Sequence, residues 1–110
     1  NDEARLIMGE PKIMIQEKLL SILLAREGEK FCAYCTELDL VTEMDTPEDA
    51  IDDIIEAMKD YAKEYMQEFE LYSKSPNRSH HLPYIKAISS CQTDWELRML
   101  IEIKHGLVYL

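Results

Sequence analysis

Hydrophobic and polar positions along the chain change period several times, and each change predicts an element. "KLLSILLA" (Lys18 to Ala25) is a short apolar run, as a buried strand would be. "REGEK" (Arg26 to Lys30) is a polar connection with Gly28, long enough for a hairpin loop. "FCAYC" (Phe31 to Cys35) reads as a second strand. "LDLVTEM" (Leu38 to Met44) reads as a third, with Leu40 and Thr42 on one face and Val41 and Glu43 on the other. Three short strands in a row suggest a meander.

The period then lengthens. In "DTPEDAIDDIIEAMKDYAKEYMQEF", Thr46 can cap a helix through its hydroxyl and Pro47 fits the first helical position. Glu48 and Asp49 sit where the helix dipole favours negative charge, and Asp49 makes a weaker capping box than Glu would. Ala50, Ile51, Ile54, Ile55, Met58, Tyr61, Ala62, Tyr65, Met66 and Phe69 then form one apolar stripe at three- and four-residue steps. The opposite face carries Asp52, Asp53, Glu56, Lys59, Asp60, Lys63 and Glu64. Such a helix must pack on something flat and apolar, and the meander provides it.

"SKSPNRSHH" (Ser73 to His81) is a polar, turn-rich break and the expected hinge. "LPYIKAISSC" (Leu82 to Cys91) fits a short helix with Tyr84, Ile85, Ala87 and Ile88 inward. In "WELRMLIEIK" (Trp95 to Lys104) apolar and polar residues alternate except at Leu100, which favours a strand over a helix. Gly106 fits either a helix C-cap or a turn into "LVYL". The expected class is α+β: a three-stranded antiparallel meander packed against one long amphipathic helix, followed by a short C-terminal helix and a strand or hairpin. Residues 17–70 form the principal unit and residues 71–110 an extension that completes the core or makes an oligomer interface. The chain begins at Asn1 rather than Met, and residues 1–16 are set aside as an N-terminal extension.

Composition narrows the chemistry. The chain has 110 residues, one domain by size, and no apolar run long enough to span a bilayer or serve as a signal peptide. Three cysteines without a secretion signal predict reduced thiols in a cytoplasm. The net charge of −10 is concentrated: residues 37–70 carry thirteen acidic and two basic side chains. That segment repels phosphate backbones and suits a basic protein partner, or it is a solvated helix face that maintains solubility.

Three clusters could carry chemistry. Cys32 and Cys35 have Cys-x-x-Cys spacing, but on a strand they point to opposite faces. Cys91, His80 or His81 could then complete a metal site with only one of them, so the cysteines are expected to be core rather than zinc or redox ligands. Glu37, Asp39, Glu43 and Asp45 could hold Mg²⁺ for phosphoryl chemistry, yet no Lys, Arg or His nearby in the sequence would meet a substrate phosphate. A solvated strand face explains them more simply. His80 and His81 are adjacent and expected to diverge in a surface turn. No catalytic, cofactor-binding or metal residue is assigned, and no enzyme activity is expected.

The block from Lys18 to about Gln67 resembles the N-terminal domain of the HicB family, the antitoxins of HicA–HicB pairs. That family reads aromatic-x-Ala-x-Cys-Pro-Glu-Leu, a variable strand, Gly-Asp-Thr, an acidic pair, Ala and an amphipathic helix. Phe31, Ala33, Cys35, Glu37, Leu38, Asp45, Thr46, Glu48 and Ala50 match, while Thr36 replaces Pro and Met44 replaces Gly. The resemblance implies a meander-plus-helix fold akin to a partial ribonuclease H core without its catalytic carboxylates. It also implies a toxin partner, a small basic HicA-like ribonuclease that the antitoxin masks.

On this reading Glu48, Asp49, Asp52, Asp53, Glu56 and Asp60 are the partner-binding residues. HicB antitoxins usually end in a DNA-binding helix pair, which residues 73–110 do not resemble, so direct DNA binding is not carried over. Self-association is common in the family, and Met44, Trp95 and Tyr109 are interface candidates. The alternative is a stand-alone homo-oligomeric module of this family, without toxin or catalysis.

Overall fold

A computed structural model describes residues 14–107; Tyr109 and most of the N-terminal extension lie outside them. Four strands form one sheet in the order β3-β2-β1-β4. Strand β1 spans Leu20–Glu27, β2 Lys30–Cys35 and β3 Leu40–Met44, and the three pair as an antiparallel meander. The β1–β2 loop is shorter than expected, because Glu27 pairs with Lys30 across only two residues. Gly28 at φ 65 supplies the positive φ that a two-residue turn with Gly first requires.

The β2–β3 connection is a tight turn over residues 36–39. Its Leu38 is buried and donates its N–H to Cys35 O at 3.3 Å. Asp39 follows in the left-handed region at φ 56, a conformation that Asp tolerates better than most residues. The third strand therefore starts at Leu40 and not at Leu38. Leu40, Thr42 and Met44 are half-buried and Val41 and Glu43 exposed, the alternation that the sequence predicts.

Helix α1 (Pro47–Gln67) begins at Thr46, whose hydroxyl accepts from the Asp49 N–H at 3.0 Å. Ala50, Ile54, Ile55, Met58, Ala62 and Tyr65 of α1 are buried. They pack on Leu20, Ile22, Leu24, Ala33 and Cys35 of the sheet. Ile51, Tyr61 and Phe69 close the margin, whereas Met66 falls outside the stripe and is exposed. A short turn of helix, α2 (Phe69–Tyr72), extends α1.

The expected hinge is instead tied down. Residues 75–81 carry successive turn hydrogen bonds, from Ser75 N to Tyr72 O, Arg78 N to Ser75 O and His81 N to Arg78 O. A 3₁₀ turn (Ser79–His81) leads directly into α3 (Leu82–Ser90), which buries Ile85 and Ile88 against the core.

The stretch from Trp95 divides between two elements. Asp94–Met99 is helix α4 and Ile101–Gly106 is strand β4. The alternation misled because a local signal outweighs it: Thr93 Oγ1 accepts from the Glu96 N–H at 3.1 Å while Glu96 Oε1 accepts from the Thr93 N–H at 3.1 Å. This capping box starts a helix at Asp94. Leu97 is its only buried residue, and Trp95 is left 71% exposed. Strand β4 pairs in parallel with β1, Leu20 opposite Ile101 through Ala25 opposite Gly106. The long return through α1 to α4 makes that parallel pairing possible.

Candidate functional site

The outward face of α1 carries the predicted partner-binding carboxylates. Glu48, Asp52, Glu56 and Asp60 recur at four-residue steps, so they form a row along the helix, with Asp49 and Asp53 beside it; all six are exposed. The structure divides them. Asp52 Oδ1 accepts from Arg98 of α4 at 3.1 Å, Glu56 pairs with Lys59 at 2.9 Å, and Asp53 accepts from the Thr42 hydroxyl. Asp94 bridges Lys59 at 2.7 Å and Arg98 at 2.5 Å, fastening α4 to α1. These two cations hold the Asp94 carboxyl below its usual range. The Glu48, Asp49 and Asp60 side chains make no ion pair with the described residues.

The four carboxylates near the second and third strands do not converge. Glu37 accepts from the Ser21 N–H at 2.9 Å and the Ser21 hydroxyl at 2.8 Å. Partial burial pushes its pKa up, but those two donors outweigh burial and hold the carboxyl below the usual range. Glu43 meets the Cys32 thiol at 3.8 Å, and Asp45 pairs with Lys30. Asp39 turns to the histidines.

The cysteines are separated as well. Cys35 lies fully in the core, where burial pushes its thiol up to about 12. Cys32 projects from the other face of the sheet, 3.3 Å from Glu27 Oε2, and burial raises its pKa, with the Glu27 carboxylate adding to the effect. Half-buried Cys91 is raised by burial and by Glu96. All three thiols are thereby kept protonated.

A second site was not foreseen. His81 is 3% exposed, in contrast to the surface turn expected for the histidine pair. Its Nδ1 lies 2.6 Å from the Tyr61 hydroxyl of α1 and its Nε2 2.9 Å from Asp39 Oδ2 in the β2–β3 turn. His80 does not diverge from it. The two rings stand 4.3 Å apart, and His80 Nε2 lies 3.9 Å from the same Asp39 oxygen. Among the described residues, Asp39, His80 and His81 form a group that could hold a metal ion, with one ligand atom from each within 4.8 Å of the others.

Aromatic residues back this site. Tyr61 meets Tyr65 edge-on at 5.9 Å and His81 at 5.6 Å. The Arg78 guanidinium lies over the Tyr72 ring at 4.7 Å and the Tyr61 ring at 5.5 Å. Tyr65 donates to the Arg78 carbonyl at 2.9 Å, which holds the turn against α1. Burial raises the Tyr61 pKa, more than Arg78 lowers it, so the phenol keeps its proton. Leu38, Asp39, Leu40, Tyr61, Glu64 and Arg78 line an open cavity of about 420 Å³ beside the histidines. No local spacing announces this site, because Asp39 and His81 are 42 residues apart and Tyr61 is 20 residues from His81.

A small α+β domain with an acidic outer helix and no disulfide among its described cysteines is the class that these features define. Over residues 12–103 the chain matches the PHD-like family, described as "Antitoxin of toxin-antitoxin, RelE / RelB, TA system", and it belongs to that family. A crystal structure from Syntrophomonas wolfei subsp. wolfei, described as an antitoxin part of a candidate toxin/antitoxin system, is similar at 25% identity with a TM-score of 0.70. The match covers 79% of this chain and 63% of that one, so this chain spans less than two thirds of its neighbour's length. No curated protein matches the chain. The sequence resemblance to an antitoxin agrees with the family at that level. Among the described residues no helix is long and apolar enough to cross a membrane.

Proposed function

We propose that the protein is a HicB-like antitoxin that binds and blocks a small basic, HicA-like ribonuclease through the outward face of α1. Membership of an antitoxin family supports a toxin partner. The observation that carries the choice of surface is the unequal use of the carboxylates. Asp52, Asp53 and Glu56 are engaged within the fold, while Glu48, Asp49 and Asp60 are exposed and make no ion pair with the described residues. Complementary charge speeds encounter and sets specificity more than it adds affinity. Glu48 and Asp60 therefore steer a basic partner onto the helix. The protein acts by masking the toxin, without catalysis of its own, in the cytoplasm and without direct contact to DNA.

The test is a pull-down from host lysate at low and then high salt, with wild type and the Glu48→Lys/Asp60→Lys variant as bait. A small basic protein held by the wild type, released by salt, lost from the variant and active as a ribonuclease once freed supports the reading. A partner held equally by both baits removes this helix face from the interface.

A second reading is a stand-alone homo-oligomer without a toxin, and apolar residues exposed on the outer face of the sheet favour it. Leu23, Tyr34 and Val41 are cross-strand neighbours there, with Val41 63% exposed. Trp95 on α4 is exposed too, whereas Met44 packs against the core and is a poorer interface residue. Native mass of the isolated protein decides: recovery of the bait alone as a defined oligomer supports this reading over the first.

A further inference from the structure

We propose that Asp39, His80 and His81 bind a borderline divalent cation of the Zn²⁺ class, with three protein ligands and one position open toward the adjoining cavity. The Asp39–His81–Tyr61 chain would be a satisfied hydrogen-bond array on its own. His80 is what makes it more than that. It is 60% exposed, and its Nε2 lies 3.9 Å from the carboxylate oxygen that His81 already holds. Two imidazole nitrogens and a carboxylate oxygen are a donor set suited to Zn²⁺.

The spacing fits. Tetrahedral bonds of about 2.0–2.1 Å place neighbouring ligand atoms about 3.3 Å apart. The observed separations from Asp39 Oδ2, 2.9 Å to His81 and 3.9 Å to His80, fall on either side of that value. Binding therefore requires the exposed His80 and Asp39 side chains to close inward, with buried His81 as the fixed point.

The surroundings serve both states of His81. Without a cation, Nε2–H donates to Asp39 and the Tyr61 hydroxyl donates to Nδ1. With a cation on Nε2, the ring proton moves to Nδ1, where the Tyr61 oxygen stands 2.6 Å away to accept it. Metal-bound histidines usually have such a partner on the other nitrogen. The 420 Å³ cavity leaves room for a water at the fourth position. The ion would join the β2–β3 turn to the turn that begins the C-terminal part of the chain, so binding is linked to folding.

The experiment is calorimetric titration of the full chain with Zn²⁺, with thermal melts and Co²⁺ absorption spectra alongside. Wild type is expected to take one cation per chain, melt at higher temperature with it, and give a tetrahedral Co²⁺ spectrum without sulfur-to-metal charge transfer. His80→Gln and Asp39→Asn alter exposed side chains, and Asn tolerates the left-handed backbone at residue 39. Each should weaken binding at least tenfold while retaining the wild-type circular dichroism. The control His105→Gln should bind as wild type does. Absence of saturable binding, full binding by both variants, or a thiolate signature in the Co²⁺ spectrum would overturn the proposal.

Discussion

Helix α1 presents two different surfaces, and their difference separates what is local in this protein from what is assembled. Its outward row of carboxylates is written in four-residue steps and sits in water, and Asp52 and Glu56 of it form exposed ion pairs. Its Tyr61 edge is half-buried and joins a carboxylate and an imidazole that arrive from two distant turns. Exposed charges can change partners at little cost. Buried His81, cut off from water, depends on the partners that the fold brings to its two nitrogens.

Truncating the buried member should expose that contrast most strongly. His81→Ala leaves Tyr61 and Asp39 without their shared partner and opens a void beside Leu38, for an expected loss of about 2–4 kcal/mol in urea unfolding. A loss as small as that of a surface ion pair would place the cluster in the same class as the outer face.

Glu37 sharpens the comparison within a single carboxylate, because it is acidic like the helix row but held by two donors. Glu37→Gln should cost about 1.5 kcal/mol near neutral pH. The folded carboxyl titrates below its ordinary value of 4.5, so its stabilisation is complete above that value and is lost as pH falls through the folded pKa. The stability gap between wild type and variant should therefore narrow on acidification. A gap that stays constant below pH 4.5 would show that shape and not charge makes the interaction.

Thr93→Ala removes the capping box of α4 and should cost about 1 kcal/mol. Circular dichroism and thermal melting would read it; an unchanged melt would mean that α4 is held by its Asp94 ion pairs alone. Smallest of all, Asp52→Asn breaks the bond to Arg98 between two well-exposed groups. It should move unfolding by less than about 1 kcal/mol, with most of that gone at high salt.

The same division explains what could be read from the sequence. The meander and α1 were legible because their signals are periodic and near in sequence, from the Leu40–Thr42 alternation to the Thr46–Pro47 start. At Trp95–Lys104 the period was real only from Ile101 onward. The Thr93–Glu96 capping box, visible as Thr-x-x-Glu, was the competing signal that should have divided the stretch. The parallel return of β4 beside β1 has no local marker at all. Of the candidate partner-binding residues, exposure was readable from the helical period. That Asp52 would be taken by Arg98, 46 residues on, was not. Polar, turn-forming neighbours around the histidines predict a surface turn, while His81's partners come from Asp39 and Tyr61, distant in sequence.

If the acidic face of α1 receives a basic partner, as proposed, the most direct test is the salt dependence of that binding. Affinity of the isolated basic ribonuclease for wild type should fall steeply as salt rises, and Glu48→Lys/Asp60→Lys should bind at least tenfold more weakly with a flatter slope. The variant's own stability should change by no more than about 1 kcal/mol, chiefly from placing a lysine at the start of α1. Equal affinities and parallel salt slopes for the two proteins would contradict the account.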